Sequence, residues 1–232
     1  MTKKKLQRFA EMEGFSHVIQ PSFNDVFGKD HHLKGKWHKE VFGNDNPIVV
    51  ELGCGKGEYT TGLARKFPHK NFIGIDIKGA RIWRGATTAL SEKLQNVRFL
   101  RTRIEVINSF FSKDEISEIW ITFPDPQLKK KRKRLTSSRF LERYSRFLKD
   151  GGLVHLKTDN VVLFEYTLRL AELNRFELHY STAELYHSGI SDDILEIKTF
   201  YEKGFLEQGM NITYLCFSLP HDTQVQEPAD ED

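Results

Sequence analysis

Residues 48 to 57 read Ile48-Val49-Val50-Glu51-Leu52-Gly53-Cys54-Gly55-Lys56-Gly57. A short β-rich run ends in three glycines at alternate positions. The run suits a buried strand, and the glycines a tight turn that tolerates positive φ and lets a bound molecule touch the backbone. Strand and helix patterns then alternate. Thr60 to Lys66 predicts a helix stopped by Pro68, and Asn71 to Asp76 a strand that ends in an acid. Gly79 to Leu94 is helical, with Ile82, Trp83, Ala86 and Leu90 at helical spacing; Val97 to Leu100 is a strand and Ile104 to Phe111 a helix. Glu118 to Phe123 is a strand that closes on Pro124-Asp125-Pro126. Thr136 or Ser137 caps a helix whose apolar face is Phe140, Leu141, Tyr144, Phe147 and Leu148, with Gly151-Gly152 as its stop. Leu153 to Lys157 is a strand and Asp159 opens a helix through Ala171. A strand near 176–180, a helix over Thr199 to Glu207 and a strand over Asn211 to Ser218 complete the chain. The alternation predicts an α/β fold, a mostly parallel central sheet with helices on both faces. One domain over 46–219 is expected, with an N-terminal arm over 1–45 and a flexible acidic tail over 220–232.

Composition agrees with a folded, non-membrane chain. Of 232 residues, 39% are hydrophobic and 18 are Phe, enough for a substantial core. No apolar run approaches the roughly 20 residues of a membrane span, and no apolar segment follows the basic start as in a secretory signal. Two cysteines, Cys54 and Cys216, make neither a disulfide framework nor a four-ligand zinc site, which suits a cytoplasmic setting. No metal is expected, since His31, His32 and His38 lack supporting acids or cysteines at ligand spacing.

Charge is uneven. The net charge is +3, but the tail from Pro220 holds five acids and no Lys or Arg, so the rest carries 35 cations against 27 acids, a surplus of +8. Six successive cations, Lys129-Lys130-Lys131-Arg132-Lys133-Arg134, begin three residues after Pro126. Such a run often means only a solvated loop. Beside a ligand-binding sheet edge it suits an anionic polymer held by its phosphates. The acidic tail would shield that run from non-specific RNA or have no role.

Three strand ends carry unusual residues. The first is the loop of Glu51, Gly53, Gly55 and Gly57. The second is Asp76, 23 residues after Gly53 and placed to accept both hydroxyls of a ribose. The dinucleotide pattern G-x-G-x-x-G would need a glycine where Glu58 stands. The third is Asp125, with φ fixed on either side by proline; a plain Asx turn is the alternative reading of that tripeptide. Cys54 reads as a small apolar filler and Trp83 and Trp120 as core. Trp37 suits either core packing or stacking on a base.

Several segments together resemble the bacterial tRNA (guanine-N(7)-)-methyltransferases. They are Glu51–Gly57, Gly74–Arg81, Ile121–Pro126, Arg134-Leu135-Thr136, Leu156–Asp159 and Thr199–Glu202. The resemblance spans roughly residues 46 to 218. It implies a Rossmann-like fold, S-adenosylmethionine as cofactor, and tRNA guanosine 46 as substrate. It implies cofactor contacts at Glu51, Gly53, Gly55, Gly57, Asp76 and Asp125, with Thr102 or Arg103 on the third strand. It implies substrate contacts at Lys129, its neighbours Lys130, Lys131 and Arg132, and Asp159, Thr199 and Glu202. Asp125 is the expected catalytic residue. Gln127 stands where many relatives have Trp, and Asp76 where many have Glu. A methyltransferase of another RNA such as rRNA, a non-catalytic RNA-binding protein of this fold, and a nicotinamide-dependent oxidoreductase are the competing readings. The chain would act as a monomer or homodimer.

Overall fold

A computed structural model describes residues 3–189 and 197–229. The chain divides after Phe111 into two compact units. The first holds, in chain order, α1 (Lys3–Glu13), β1 (Val18–Ile19), α2 (Phe23–Val26), β2 (Ile48–Leu52), α3 (Glu58–Lys66), β3 (Asn71–Asp76), α4 (Gly79–Ser91) and β4 (Val97–Arg101). Its strands lie parallel in the order β1-β4-β3-β2. Every residue of β2 and β3 is buried, as expected of parallel strands covered on both faces.

The second unit holds β5 (Ile116–Thr122), α5 (Ser138–Tyr144), β6 (Leu148–Thr158), α6 (Val161–Leu173), β7 (Leu178–Thr182), α7 (Phe200–Glu207) and β8 (Thr213–Leu219). The strand order is β5-β6-β8-β7, with β5 and β6 parallel and β8 antiparallel to both neighbours. Four of these pairings, β1–β4, β2–β3, β3–β4 and β5–β6, are parallel, so the α/β, mostly parallel reading holds.

Several local expectations are corrected. Residues 104–109 form a 3-10 turn rather than an α-helix, and residues 37–42 a π-turn. Phe147 and Leu148 do not extend α5, which ends at Tyr144. Leu148 already pairs with Ile116, and the register then jumps to Glu118 opposite Leu153. Gly151, at φ +66°, therefore serves an irregularity inside β6 and not a helix stop. The cap of α6 is Asn160, whose side chain accepts the Leu163 N–H at 2.9 Å. The N-terminal arm is folded onto the first unit: β1 pairs with β4, and the Trp83 indole N–H donates to Glu11 at 2.6 Å. Trp37 is core, fully buried with its indole donating to the Phe110 carbonyl. The acidic tail is anchored as far as Glu227. Val225 N–H donates to Glu142, Gln226 N–H to the Asn174 side chain, and Ser138 N–H to Glu227. Its last acids, Asp230 to Asp232, lie outside the described residues. Among the described residues no helix is long and apolar enough to cross a membrane.

The first unit is organised around Phe99. A methyl group on Gly57 would meet this ring at 2.7 Å, one on Gly74 at 2.9 Å and one on Gly85 at 2.7 Å. Gly85 is the informative case, because it lies inside α4. Alanine there would gain about 1 kcal/mol of helix propensity. Its methyl would also press the Lys56 carbonyl at 2.8 Å, and overpacking of this kind costs about 1–3 kcal/mol. The packing term should win, so Gly85→Ala should lower the melting temperature. Gly204→Ala, in α7 with nothing within 4 Å, should raise it by a degree or more. Thermal melts of the two variants check the sign at each position.

Candidate functional site

At the carboxyl ends of β2 and β3 the glycine loop hooks over its neighbour strand. The N–H groups of Gly53 and Cys54 both donate to the Ile75 carbonyl, at 2.8 and 3.0 Å. Gly53, Gly55 and Gly57 all have positive φ. The Asp76 carboxylate accepts the Gly55 N–H at 2.9 Å through Oδ2 and the Lys78 N–H at 2.7 Å through Oδ1. It is thus oriented by backbone before any ligand arrives. Gly55 borders open space: a side chain there would find only the Gly53 carbonyl, 3.9 Å away. Gly57 is different. It faces Phe99 and Gly85 instead of open space, and it begins α3.

Having no side chain, Gly57 cannot cap α3. Glu51 does so from β2. Its Oε2 accepts the Thr60 N–H at 2.9 Å and also the Thr60 hydroxyl. Both residues are buried. An anion at a helix N-terminus is favoured by the unpaired N–H groups there. The loop is therefore held at both ends by carboxylates, Glu51 beneath and Asp76 beside. Cys54 is buried in it, and burial together with Glu51 and Asp76 pushes its thiol well up, which suits an inert filler.

Thr102, just past β4, is buried and donates its N–H to the Asp76 carbonyl at 3.2 Å. Arg103 is exposed, and its guanidinium lies 5.1 Å from the ring centre of Phe23. The two candidates for the third-strand contact thus stand in different settings: Thr102 belongs to the Asp76 framework, and Arg103 reaches to the N-terminal segment.

In the second unit, the parallel register of Thr122 with Lys157 sets the ends of β5 and β6 side by side. Phe123 N–H donates to the Lys157 carbonyl at 2.8 Å. Asp125 and Asp159 follow at these two strand ends. Asp125 is exposed, and its Oδ1 accepts the Gln127 N–H at 3.0 Å. The tripeptide is thus an Asx turn, but a tense one. Phe123 and Gln127 both have φ near +47°, a left-handed conformation costing non-glycine residues about 1–2 kcal/mol each. Asp159 is half-buried, and that burial pushes its carboxyl above the ordinary range.

The expected substrate residues separate into two groups. Lys129, Lys130 and Arg132 are exposed, with Lys131 half-buried between them. Thr199 and Glu202 face inward. Thr199 caps α7 in a reciprocal capping box with Glu202. Glu202 is fully buried and pairs with Lys157 at 2.7 Å, while also accepting the Tyr186 hydroxyl. Burial pushes the Lys157 ammonium down, against the pull of Glu202. The side chains that this segment turns to solvent are Phe200 and Tyr201.

Comparison with known proteins follows this geometry. A family model described as "Putative methyltransferase" matches residues 45–215. The tRNA (guanine-N(7)-)-methyltransferase of Bacteroides thetaiotaomicron is 54% identical, over 98% of this chain and 90% of that protein. The enzyme of the same name from Christiangramia forsetii is also 54% identical, over 94% and 99%. The chain belongs to the tRNA (guanine-N(7)-)-methyltransferase family. Among solved structures, the 16S rRNA methyltransferase KamB shares the fold at a TM-score of 0.63 and 14% identity, covering 82% of this chain and 95% of that one. The fold is the Rossmann-like one of S-adenosylmethionine-dependent methyltransferases. Phe99 in the first unit and Tyr166 in the second carry parts of each unit's framework and were not singled out by sequence pattern, while Arg134 was read only as one of six cations and part of a motif.

The buried pair generates a prediction. Removing one partner of a buried ion pair costs about 3–5 kcal/mol, because the other charge stays buried. Glu202→Gln should therefore lower the urea midpoint strongly, whereas Lys129→Ala should leave it where it was. Equal midpoints for wild type and Glu202→Gln would show that the pair holds nothing together.

Proposed function

We propose that this protein transfers the methyl group of S-adenosylmethionine to N(7) of a guanosine in tRNA, with the variable-loop guanosine 46 as acceptor. The observation that carries the reading is 54% identity over nearly the whole chain to a protein named for that reaction. The residue chemistry supports it. Two oriented carboxylates and an open glycine suit a cofactor with a ribose, an amino group and a sulfonium, and no pyrophosphate. Asp76, Glu51, Gly53 and Gly55 would hold it, with Thr102 or Arg103 as the third-strand contact. When bound, S-adenosylmethionine supplies an electrophilic methyl group.

Guanine N(7) carries a lone pair and no proton, so the chain needs no general base. Its work is orientation and exclusion of water. Asp125, held by two prolines and the Gln127 N–H, presents a fixed carboxylate able to accept from the purine N–H edge. The same charge balances the positive charge growing on the ring. Asp159, on the adjacent strand end, is the second candidate for this role. Lys129, Lys130, Lys131 and Arg132 bind phosphate. Thr199 and Glu202 act from inside, by shaping the segment that exposes Phe200 and Tyr201. A tRNA substrate places the reaction in the cytoplasm.

The test is direct. Purified protein is incubated with unmodified tRNA transcript and methyl-labelled S-adenosylmethionine, and the nucleosides are separated. Label is expected in 7-methylguanosine, with Asp125→Ala turning over about 10²–10³-fold more slowly, the loss typical of one preorganised electrostatic group. Label in another nucleoside would overturn the acceptor, and normal turnover of Asp125→Ala would remove that residue from the mechanism. Lys129→Ala should instead raise the KM for tRNA and flatten its salt dependence by about one unit of slope. S-adenosylhomocysteine should raise the melting temperature and NAD should not.

A further inference from the structure

Arg134 ends the run of six cations but does not share their setting. It is 2% exposed, whereas Lys129, Lys130, Arg132 and Lys133 face solvent. Its Nε donates to the Pro126 carbonyl at 3.0 Å, so this one side chain closes the base of the loop that carries the other five. Its guanidinium lies 4.3 Å from the ring centre of Tyr166, itself buried on α6. A buried guanidinium is retained only with compensating partners, and an aromatic face is a strong one when desolvated. The Tyr166 hydroxyl donates to Glu227 Oε1 in the C-terminal tail, and Glu227 Oε2 accepts the Ser138 N–H at 3.2 Å. Burial and that carboxylate push the Tyr166 phenol well above its ordinary range, so the hydroxyl keeps its proton and remains a donor. Donating that hydrogen bond polarises the phenol, enriches the ring in electron density and strengthens its hold on Arg134.

We propose that Glu227, acting through Tyr166 and Arg134, sets the position of the Pro124-Asp125-Pro126 turn and is a positioning residue for methyl transfer. The inference rests on the reading of Asp125 given above. It assigns the acidic tail a task other than shielding: one carboxylate, one ring and one buried cation connect it to the turn. The exposed cations of the loop repel one another, and Arg134 is what holds the loop's two ends together against that repulsion.

The test uses the full chain with Glu227→Gln, Tyr166→Phe and the double variant. Tyr166→Phe keeps the ring and removes only the hydroxyl. Each single variant should lower kcat about five- to tenfold with the KM for tRNA within about twofold, and the double variant should fall no further, because both changes cut one link. Trypsin provides a readout that needs no activity. Cleavage after Lys129 to Lys133 should quicken in both single variants, since it follows the population of the opened loop. It should not quicken in Asp222→Asn, a change on the same tail at a carboxylate 3.7 Å from Lys113. Unchanged kcat, a rise in tRNA KM alone, additive losses or equal tryptic rates would overturn the proposal. Turnover retained by Asp125→Ala would instead sink the reading of Asp125, and the tryptic rates would still decide whether Glu227 holds the loop.

Discussion

The ring of Phe99 fills a space that three glycines leave empty. Gly57 begins α3, Gly74 lies in β3 and Gly85 lies in α4, and a β-carbon on any of them would collide with that ring. This contact brings a loop, a strand and a helix closer than ordinary side chains allow. The remaining geometry of the first unit follows from it. With α3 drawn onto β3, Thr60 reaches the Glu51 carboxylate, and the loop from Gly53 to Gly55 folds over the end of β3 onto Asp76. The glycine-rich loop therefore has a division of labour. Gly55 borders open space, and Gly57 is closed by packing.

Carboxylates brought from elsewhere in the chain do much of the remaining fixing. Glu51 supplies the cap that Gly57 cannot give α3. In the second unit Glu227 receives the first N–H of α5, and Glu202 lies under its own helix against Lys157. Glu51 and Glu202 meet backbone N–H groups or a cation out of water, where such contacts are stronger than on an exposed surface, whereas Glu227 is exposed. Asp76, Asp125 and Asp159 lie at strand ends, where backbone N–H groups or turn geometry orient the first two.

The alternation of apolar runs with helical patterns was legible, because parallel strands buried on both faces need continuous apolar residues. The short strand β1 was not: two residues, Val18 and Ile19, carry no period, and only pairing with β4 makes them a strand. The start of β6 was misread for a related reason. Phe147 and Leu148 continue the helical spacing of α5, but Leu148 is taken by its ladder with Ile116. The positions of Asp76 and Asp125 at or just after strand ends were legible from the strand patterns that precede them. Thr199 and Glu202 stood out as a motif, but the capping box and buried ion pair they form were not legible, since these use the same residue types as an RNA contact.

The sequence by itself determined the fold class, the loop and the acids at the strand ends, because each of these is a local matter: residue type, period and the φ that a turn demands. It also determined the family, through segments scattered over most of the chain. Only the tertiary structure decided which members of a uniform run do different work. Arg134 reads as one more cation beside Lys133, yet it is buried between Pro126 and Tyr166 while its neighbours face water. The same holds for Gly57 against Gly55. Burial depends on what packs from distant positions, here Phe99, Tyr166 and Glu227, and no local pattern records which distant residue will arrive.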